Sequence, residues 1–70
     1  MTVGERLRNL RRGKRLTLQE LSLQIGYSIS HISDIERGRD SPSLAICLSI
    51  AKYYKMDLAS LFFGVTSVKN

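Results

Sequence analysis

Apolar residues recur every three or four positions along most of the chain, the spacing that places side chains on one face of an α-helix. No alternation of single apolar and polar residues, typical of strands, competes with this pattern. The pattern predicts five helices, which run from 3 to about 14, 18 to 25, 28 to about 37, 44 to about 54 and 58 to 62. The sequence therefore predicts an all-α chain of short helices.

Residues that start helices occur where this pattern needs them. Thr2 with Glu5, and Thr17 with Glu20, fit the capping box, in which a hydroxyl and a carboxylate three residues apart bind the first backbone N–H groups of a helix. Ser43 is placed to cap the fourth helix in the simpler way, through its hydroxyl alone. These signals support the boundaries that the apolar spacing indicates.

A short connection around Gly26 joins the second and third helices. Glycine readily takes the left-handed conformation that ends a helix, and Ser28, two residues later, can cap the next one. Two helices joined by such a turn form a helix–turn–helix. The outer face of the third helix is polar, with Ser30, Ser33, Asp34 and Arg37 at helical spacing. Such a helix has the right diameter to enter the major groove of DNA.

The fourth helix and the residues beyond it define the rest of the domain. Its inner stripe is expected to contain Leu44, Cys47, Leu48, Ala51 and Tyr54, which repeat at intervals of three and four. From Gly64 onward no pattern remains. We therefore expect one domain over residues 1–63 and a short, frayed C-terminal tail over residues 64–70.

Positive charge is concentrated at the start of the chain. The formal net charge is +5, and residues 1–15 hold six basic residues and one acidic residue, while the bases and acids of the remainder cancel. A concentrated basic segment attracts a polyanion and supplies affinity that falls with salt. Arginines that serve only solubility are the alternative explanation.

Composition argues against several classes of protein. Cys47 is the only cysteine, so no internal disulfide or cysteine-rich metal site is expected. The longest apolar run, residues 44–51, is too short to cross a bilayer, and the N-terminus has no apolar signal core, so we expect a cytoplasmic protein. A single histidine, without a glycine-rich phosphate loop, predicts neither an enzyme nor a site for a cofactor or metal.

Several motifs resemble one family in both order and spacing. They are L-T-L-Q-E-L-S at 16–22, G-Y-S at 26–28, I-S-D-I-E-R-G at 32–38 and P-S-L at 42–44. In this set the chain resembles the Cro and phage-repressor type (XRE-like) helix–turn–helix domain over about residues 3–63. The resemblance implies a compact, lambda-repressor-like five-helix bundle whose second and third helices read double-stranded DNA. It also implies a transcriptional regulator, usually a repressor, that binds a palindromic operator as a homodimer.

The resemblance and the helix faces together suggest roles for individual residues. The expected base-reading residues are Ser28, Ile29, Ser30, Ser33 and Asp34. The expected phosphate contacts, at helix starts or after the third helix, are Thr17, Gln19, Arg37, Arg39 and Ser43. Arg11 and Glu36 match the family's ion pair between the first and third helices, which holds the reading helix in place without touching bases.

Two of the base-reading assignments have alternatives. Ile29 either packs on a thymine methyl group or belongs to the core stripe that it borders. Asp34 either accepts a hydrogen bond from cytosine N4 or rejects sequences that bring the phosphate backbone too close. Because this surface holds no Asn, Gln or Lys, we expect few direct base contacts and a large share of shape-dependent or water-mediated recognition.

Apolar residues late in the chain exceed what one small core easily hides. The expected dimer interface is Tyr53, Leu61, Phe62, Phe63 and Val65, and packing within the monomer is the alternative. A second function also stays open, a protein-binding module on the same fold, such as an antitoxin or an adaptor of the transcription machinery. Leu23 and the late aromatic residues are the features that such a module would use.

Overall fold

The computed structural model describes residues 2–63, with side chains for residues 2–62. Its helices are α1 (Val3–Gly13), α2 (Leu18–Ile25), α3 (Ile29–Glu36), α4 (Leu44–Tyr54) and α5 (Leu58–Phe63). Over this range the chain forms no strand. The all-α prediction is confirmed, and the predicted helix ends agree with the observed ones to within about one residue. None of the described helices has the length and apolar character needed to cross a bilayer.

Hydrogen bonds within a single turn explain where α1 and α2 begin. Thr2 Oγ1 accepts from the Glu5 N–H at 3.1 Å, and Glu5 Oε1 accepts from the Thr2 N–H at 2.9 Å. Thr17 and Glu20 repeat this arrangement at 3.0 and 2.8 Å. Both predicted capping boxes are therefore confirmed. The hydrogen bond from the Thr2 backbone also lowers the pKa of the Glu5 carboxyl group.

The core lies where all five helices meet. α1 packs on α3 and α5, α2 packs on α3 and α4, and α4 packs on α5. The buried apolar side chains of the described range are Leu7, Leu21, Ile32, Ile35, Ile46, Cys47, Ile50, Ala51 and Leu61. Cys47 is 0% exposed, and burial raises the pKa of its thiol. It serves as a small apolar residue of the core.

α4 buries only part of the face that its spacing predicts, since Cys47 and Ala51 of the predicted stripe are buried but its two leucines are not. Ile46 and Ile50 lie in the core beside Cys47, whereas Leu44 and Leu48 are 63% and 51% exposed. Nearly every residue from 44 to 51 is apolar, so more than one row of positions satisfies a spacing of three and four. Periodicity then cannot decide which row is buried, and packing against α2 and α5 decides it. The prediction that Leu44 and Leu48 are buried is wrong.

Candidate nucleic-acid interface

The turn between α2 and α3 fixes the angle between the two helices. Gly26 ends α2 in the left-handed conformation, with φ 78° and ψ 24°, and its N–H donates to the Ser22 carbonyl. Ser28 then caps α3, because its hydroxyl oxygen accepts from the His31 N–H at 3.1 Å. The Ser22 hydroxyl donates to the Tyr27 carbonyl across the turn. The predicted helix–turn–helix is therefore present, and hydrogen bonds hold it at both helix ends.

One side of α3 faces the core and the other faces solvent. Ile32 and Ile35 are buried inside the bundle. The outward residues form a surface of short side chains, which we call the α3 face: Ser28, Ile29, Ser30, Ser33 and Asp34. Ser28 and Ser30 are exposed, whereas Ser33 and Asp34 are half-buried at its edges. Ile29 is 44% exposed, so it lies outside the core stripe that it borders.

The loop after α3 folds back onto the helix. The Asp34 carbonyl accepts from the N–H groups of Arg39 and Asp40 at 2.8 and 3.3 Å. The Asp40 carboxylate lies 3.7 Å from Nδ1 of His31, whose ring stacks on Tyr27 at 5.9 Å between centroids. This half-buried histidine therefore packs beside the turn, next to the core. The arrangement places Arg39 close to the end of the α3 face.

The residues predicted to contact phosphates occupy helix ends and exposed positions. Thr17 and Ser43 use their hydroxyl oxygens as helix caps, accepting from the N–H groups of Glu20 at 3.0 Å and of Ile46 at 3.2 Å. Each hydroxyl keeps its own hydrogen for a further acceptor. The other three members of the predicted set, Gln19, Arg37 and Arg39, are exposed. Among the described residues, no carboxylate lies within ion-pair distance of either arginine.

A buried ion pair ties α1 to the end of α3. Nε of Arg11 lies 2.8 Å from Oε2 of Glu36, and the second guanidinium contact, to Oε1, is 2.9 Å. Arg11 also donates to the Leu16 carbonyl at 2.8 Å, which connects α3 to the chain before α2. Arg11 is only 9% exposed and Glu36 only 4%. The hydrogen bonds with Glu36 raise the pKa of Arg11.

Arg8 is a second cation on the same carboxylate. Its Nε lies 3.7 Å from Oε1 of Glu36, and its side chain is 34% exposed. α3 packs closely enough against α1 to bring Glu36 within reach of Arg8. Glu36 therefore has two arginine neighbours.

Tyr54, which its spacing places on the inner stripe of α4, carries a buried polar group that the sequence pattern did not indicate. Its hydroxyl oxygen is buried and has no hydrogen-bond partner among the described residues. Burial is the main cause that raises the pKa of this phenol to about 12; Tyr53 and Glu36 raise it further, and the positive charge of Arg11 opposes them. The influence of both charged groups indicates that the end of α4 lies near the ion pair. Only the folded structure brings these residues together.

The residues of the predicted dimer interface differ in their burial within the domain. Leu61 is 0% exposed and belongs to the core, which corrects its place in that set. Tyr53 is half-buried and packs edge-to-face on Tyr54 with centroids 5.2 Å apart, and Phe62 is half-buried against the core. The side chain of Phe63 and the whole of Val65 lie outside the described residues. The large apolar groups that do reach solvent in the described range are Leu23, Ile29, Leu44 and Leu48.

Fold and site together define a small all-α domain built around a helix–turn–helix. A family model described as a helix-turn-helix domain matches residues 2–61. The chain belongs to this helix-turn-helix domain family, as its motifs predicted. Among the described residues, His, Cys, Asp and Glu form no group of three that could hold a metal ion.

Transcription regulators are among the similar proteins. The HTH-type transcriptional regulator DdrOP3 of Deinococcus deserti is 38% identical over 93% of this chain and 50% of its own length. The immunity repressor protein of Bacillus phage phi105 is 32% identical over 99% of this chain and 48% of its own length. This chain therefore spans about half the length of these curated relatives.

A solved structure of a repressor on DNA shares the fold. The P22 c2 repressor, crystallised in complex with synthetic operator 9T in the presence of Tl+, aligns with a TM-score of 0.83 and 26% identity. The alignment covers 93% of this chain and 98% of that one. The predicted lambda-repressor-like architecture is thereby confirmed.

Proposed function

We propose that this domain is a sequence-specific transcriptional regulator, most simply a repressor, that places α3 in the major groove of double-stranded DNA. The observation that carries the proposal is the α3 face, a row of small polar side chains on a helix whose opposite side is buried. The P22 c2 repressor, which shares the fold, was crystallised in complex with a synthetic operator, and this supports the proposal.

Electrostatics around the α3 face support a nucleic-acid partner. Arg37 and Arg39 follow α3 without carboxylate partners in the described range, and Arg12, Lys14 and Arg15 are exposed just before α2. Cations that are not neutralised by neighbouring acids attract phosphates and release counterions on binding. The capped starts of α2 and α4 would add hydroxyl and backbone donors.

The chemistry of the α3 face suggests how sequence is recognised. Serine hydroxyls bond to several base edges and discriminate weakly, whereas an exposed Ile29 suits the methyl group of thymine. Asp34 is the one carboxylate on this surface, and it either accepts from cytosine N4 or repels phosphates. We therefore expect sequence preference to depend partly on the shape and deformability of the duplex.

A homodimer on an inverted repeat is the second part of the proposal. In a two-fold dimer, the same patch of each subunit meets its copy, and the third helices enter major grooves about 34 Å apart. Leu44 and Leu48 lie one turn apart on the exposed side of α4, immediately after the loop that carries Arg39. We assign this pair to the interface, beside Tyr53 and Phe62 of the predicted set.

The protein-binding alternative is supported by one observation. Leu23 is 77% exposed on α2, more than any other large apolar residue of the described range, and lies away from the core. A leucine in this position suits a protein partner better than a phosphate backbone. Under this alternative the domain would bind a protein and show no preference among duplexes.

Enrichment of bound duplexes from a random pool tests the two proposals. If the domain is a regulator, the pool should yield an inverted repeat whose half-sites are one helical turn apart. Sedimentation should then show two chains bound to each duplex. A Ser30→Ala, Ser33→Ala double variant should weaken the enriched preference, while Leu23→Ala should not. A pool that remains random after repeated rounds at low salt would contradict the regulator and favour the protein-binding module.

A further inference from the structure

Gly4 lies where α1 closely approaches the backbone of α3. It is the second residue of α1, and it is buried. A Cβ atom added at Gly4 would lie 2.2 Å from the Ile35 carbonyl oxygen and 3.0 Å from that of Glu36. Both oxygens belong to the last turn of α3. By contrast, a Cβ added at Gly13, the last residue of the same helix, would meet nothing within 4 Å.

Main-chain atoms make this contact rigid. A side chain that is crowded can change its rotamer, but a carbonyl oxygen inside a helix moves only with the helix. Ordinary van der Waals contact begins at about 3.4 Å, so an alanine at position 4 would push the last turn of α3 away by roughly 1 Å. Helices with side chains at the contact pack 8–10 Å apart, and a glycine permits a closer approach.

The end of α3 is thus held by α1 in two ways. The backbone at Gly4 sets how near the two helices come, and Arg11, two turns further along α1, binds the carboxylate of Glu36. Glu36 takes part in both contacts, through its carbonyl oxygen and through its side chain. A contact of fixed length and a bidentate ion pair together define both the distance and the orientation of α3.

We infer that Gly4 is a positioning residue for DNA recognition, acting through the height and tilt of α3. The inference rests on the proposed function, because it concerns how the α3 face meets the duplex. Binding sites tolerate displacements of about 0.5 Å before productive contacts are lost. Moving one end of α3 by twice that amount should misplace the base-reading side chains. The exposed arginines would still reach phosphates on long, flexible stems.

The test compares Gly4→Ala with Gly13→Ala, which adds the same methyl group to the same helix in open space. Affinity is measured by fluorescence anisotropy for the enriched operator and for a duplex of the same composition in scrambled order. Circular dichroism fixes a temperature at which both variants are folded, with trimethylamine N-oxide added if Gly4→Ala needs it. We expect Gly4→Ala to reduce the affinity for the operator at least tenfold and the affinity for the scrambled duplex less than twofold. Gly13→Ala should retain both affinities.

The ratio of the two affinities separates a positioning role from simple loss of stability. A smaller folded fraction lowers both affinities by the same factor and leaves their ratio unchanged. The inference is overturned by an unchanged ratio in folded Gly4→Ala, or by a variant that folds under none of these conditions, since Gly4 would then serve folding alone. If the unaltered domain itself does not distinguish operator from scrambled duplex, the proposed function fails instead.

Discussion

Arg11 and Glu36, 25 residues apart in the chain, share two hydrogen bonds of 2.8 and 2.9 Å inside the bundle. Removing the negative charge leaves a guanidinium that is buried without its counterion, at a cost of about 3–5 kcal/mol where burial is deep. We therefore expect Glu36→Gln to lower the melting temperature by more than 10 °C, since about 1 kcal/mol corresponds to 4–8 °C in a domain of this size. Thermal unfolding followed by circular dichroism measures this.

Asp34→Asn is the matched control for this prediction, because Asp34 lies on the same helix, is half-buried and has no cation within ion-pair distance in the described range. It should change the melting temperature by only a few degrees. A double variant, Arg11→Met with Glu36→Leu, should regain much of the loss, since no buried charge is then stranded. Equal, small effects of Glu36→Gln and Asp34→Asn would contradict the structural role of the pair.

Tyr54 should make the domain sensitive to alkaline pH. Burial raises the pKa of its phenol to about 12, whereas the unfolded chain ionises near the ordinary value of 10. The unfolded state therefore holds fewer protons than the folded state between these values, and the free energy of unfolding falls as pH rises from about 10 to about 12. Below pH 10 the tyrosine adds no pH dependence. After allowance for partial exposure, we expect a loss of about 1 kcal/mol.

Tyr54→Phe isolates this contribution, because it removes only the phenol hydroxyl and keeps every other titratable residue of the chain. Urea denaturation at a series of pH values should show a flatter alkaline slope for the variant. Near neutral pH the variant should be as stable as the parent or slightly more so, since its buried hydroxyl has no partner in the described range. Parallel alkaline slopes for the two proteins would show that Tyr54 ionises normally.

Replacing Gly26 should lower the free energy of unfolding, although there is open space around this residue. Its φ of 78° is strained for other residues, and no atom lies within 4 Å of an added Cβ. Gly26→Ala should therefore cost about 1–2 kcal/mol of unfolding free energy, purely through backbone conformation. Gly26→Asn should cost less, because asparagine tolerates the left-handed region. Urea titration of the three proteins tests the order, and an alanine variant as stable as the parent would refute it.

Arg37 should make a contribution to DNA affinity that falls as the salt concentration rises. If it contacts one phosphate, Arg37→Gln weakens binding about equally across sequences and reduces the slope of log affinity against log salt by about one. Lys52→Gln removes the same charge from an exposed position on α4 and should leave that slope unchanged. Anisotropy titrations between about 50 and 200 mM salt compare them. Identical slopes for Arg37→Gln and the parent would remove Arg37 from the phosphate-binding set.

Leu48 should be important for association between subunits. Leu48→Glu places a charge at the centre of the exposed α4 surface, so we expect sedimentation to shift toward the monomer and operator affinity to fall sharply. Leu23→Glu introduces the same charge on α2, at the most exposed of the large apolar residues, and should leave the dimer intact. Dimerisation that survives Leu48→Glu, or is lost with Leu23→Glu, would move the interface elsewhere.

Local signals predicted the helix boundaries because the contacts behind them span only a few residues. The capping box of Thr17 and Glu20 and the left-handed Gly26 are determined by neighbours within one turn. The pairing of Arg11 with Glu36 needed more, since the family resemblance brought together two residues that spacing alone does not connect. The structure confirms that these two side chains meet.

Features that depend on packing between helices were not predictable in the same way. Because almost every residue in the first two turns of α4 is apolar, the sequence does not indicate which face is buried. Only the folded structure shows that Leu44 and Leu48 are exposed. The crowding at Gly4 depends on the backbone of α3, and the isolated hydroxyl of Tyr54 depends on where α4 ends. Both features are produced by packing between helices that are distant in sequence.

The hydrogen-bonded loop after α3 should lower the conformational entropy that is lost when the domain binds DNA. Arg39 and Asp40 are already hydrogen-bonded to the Asp34 carbonyl in the domain alone, so their backbone is ordered before any duplex arrives. Segments that become ordered only on binding reduce affinity by the conformational freedom that they lose. If Arg39 contacts a phosphate as proposed, that loss is confined to its side chain, and the ordered backbone of the loop leaves more of the contact available as net affinity.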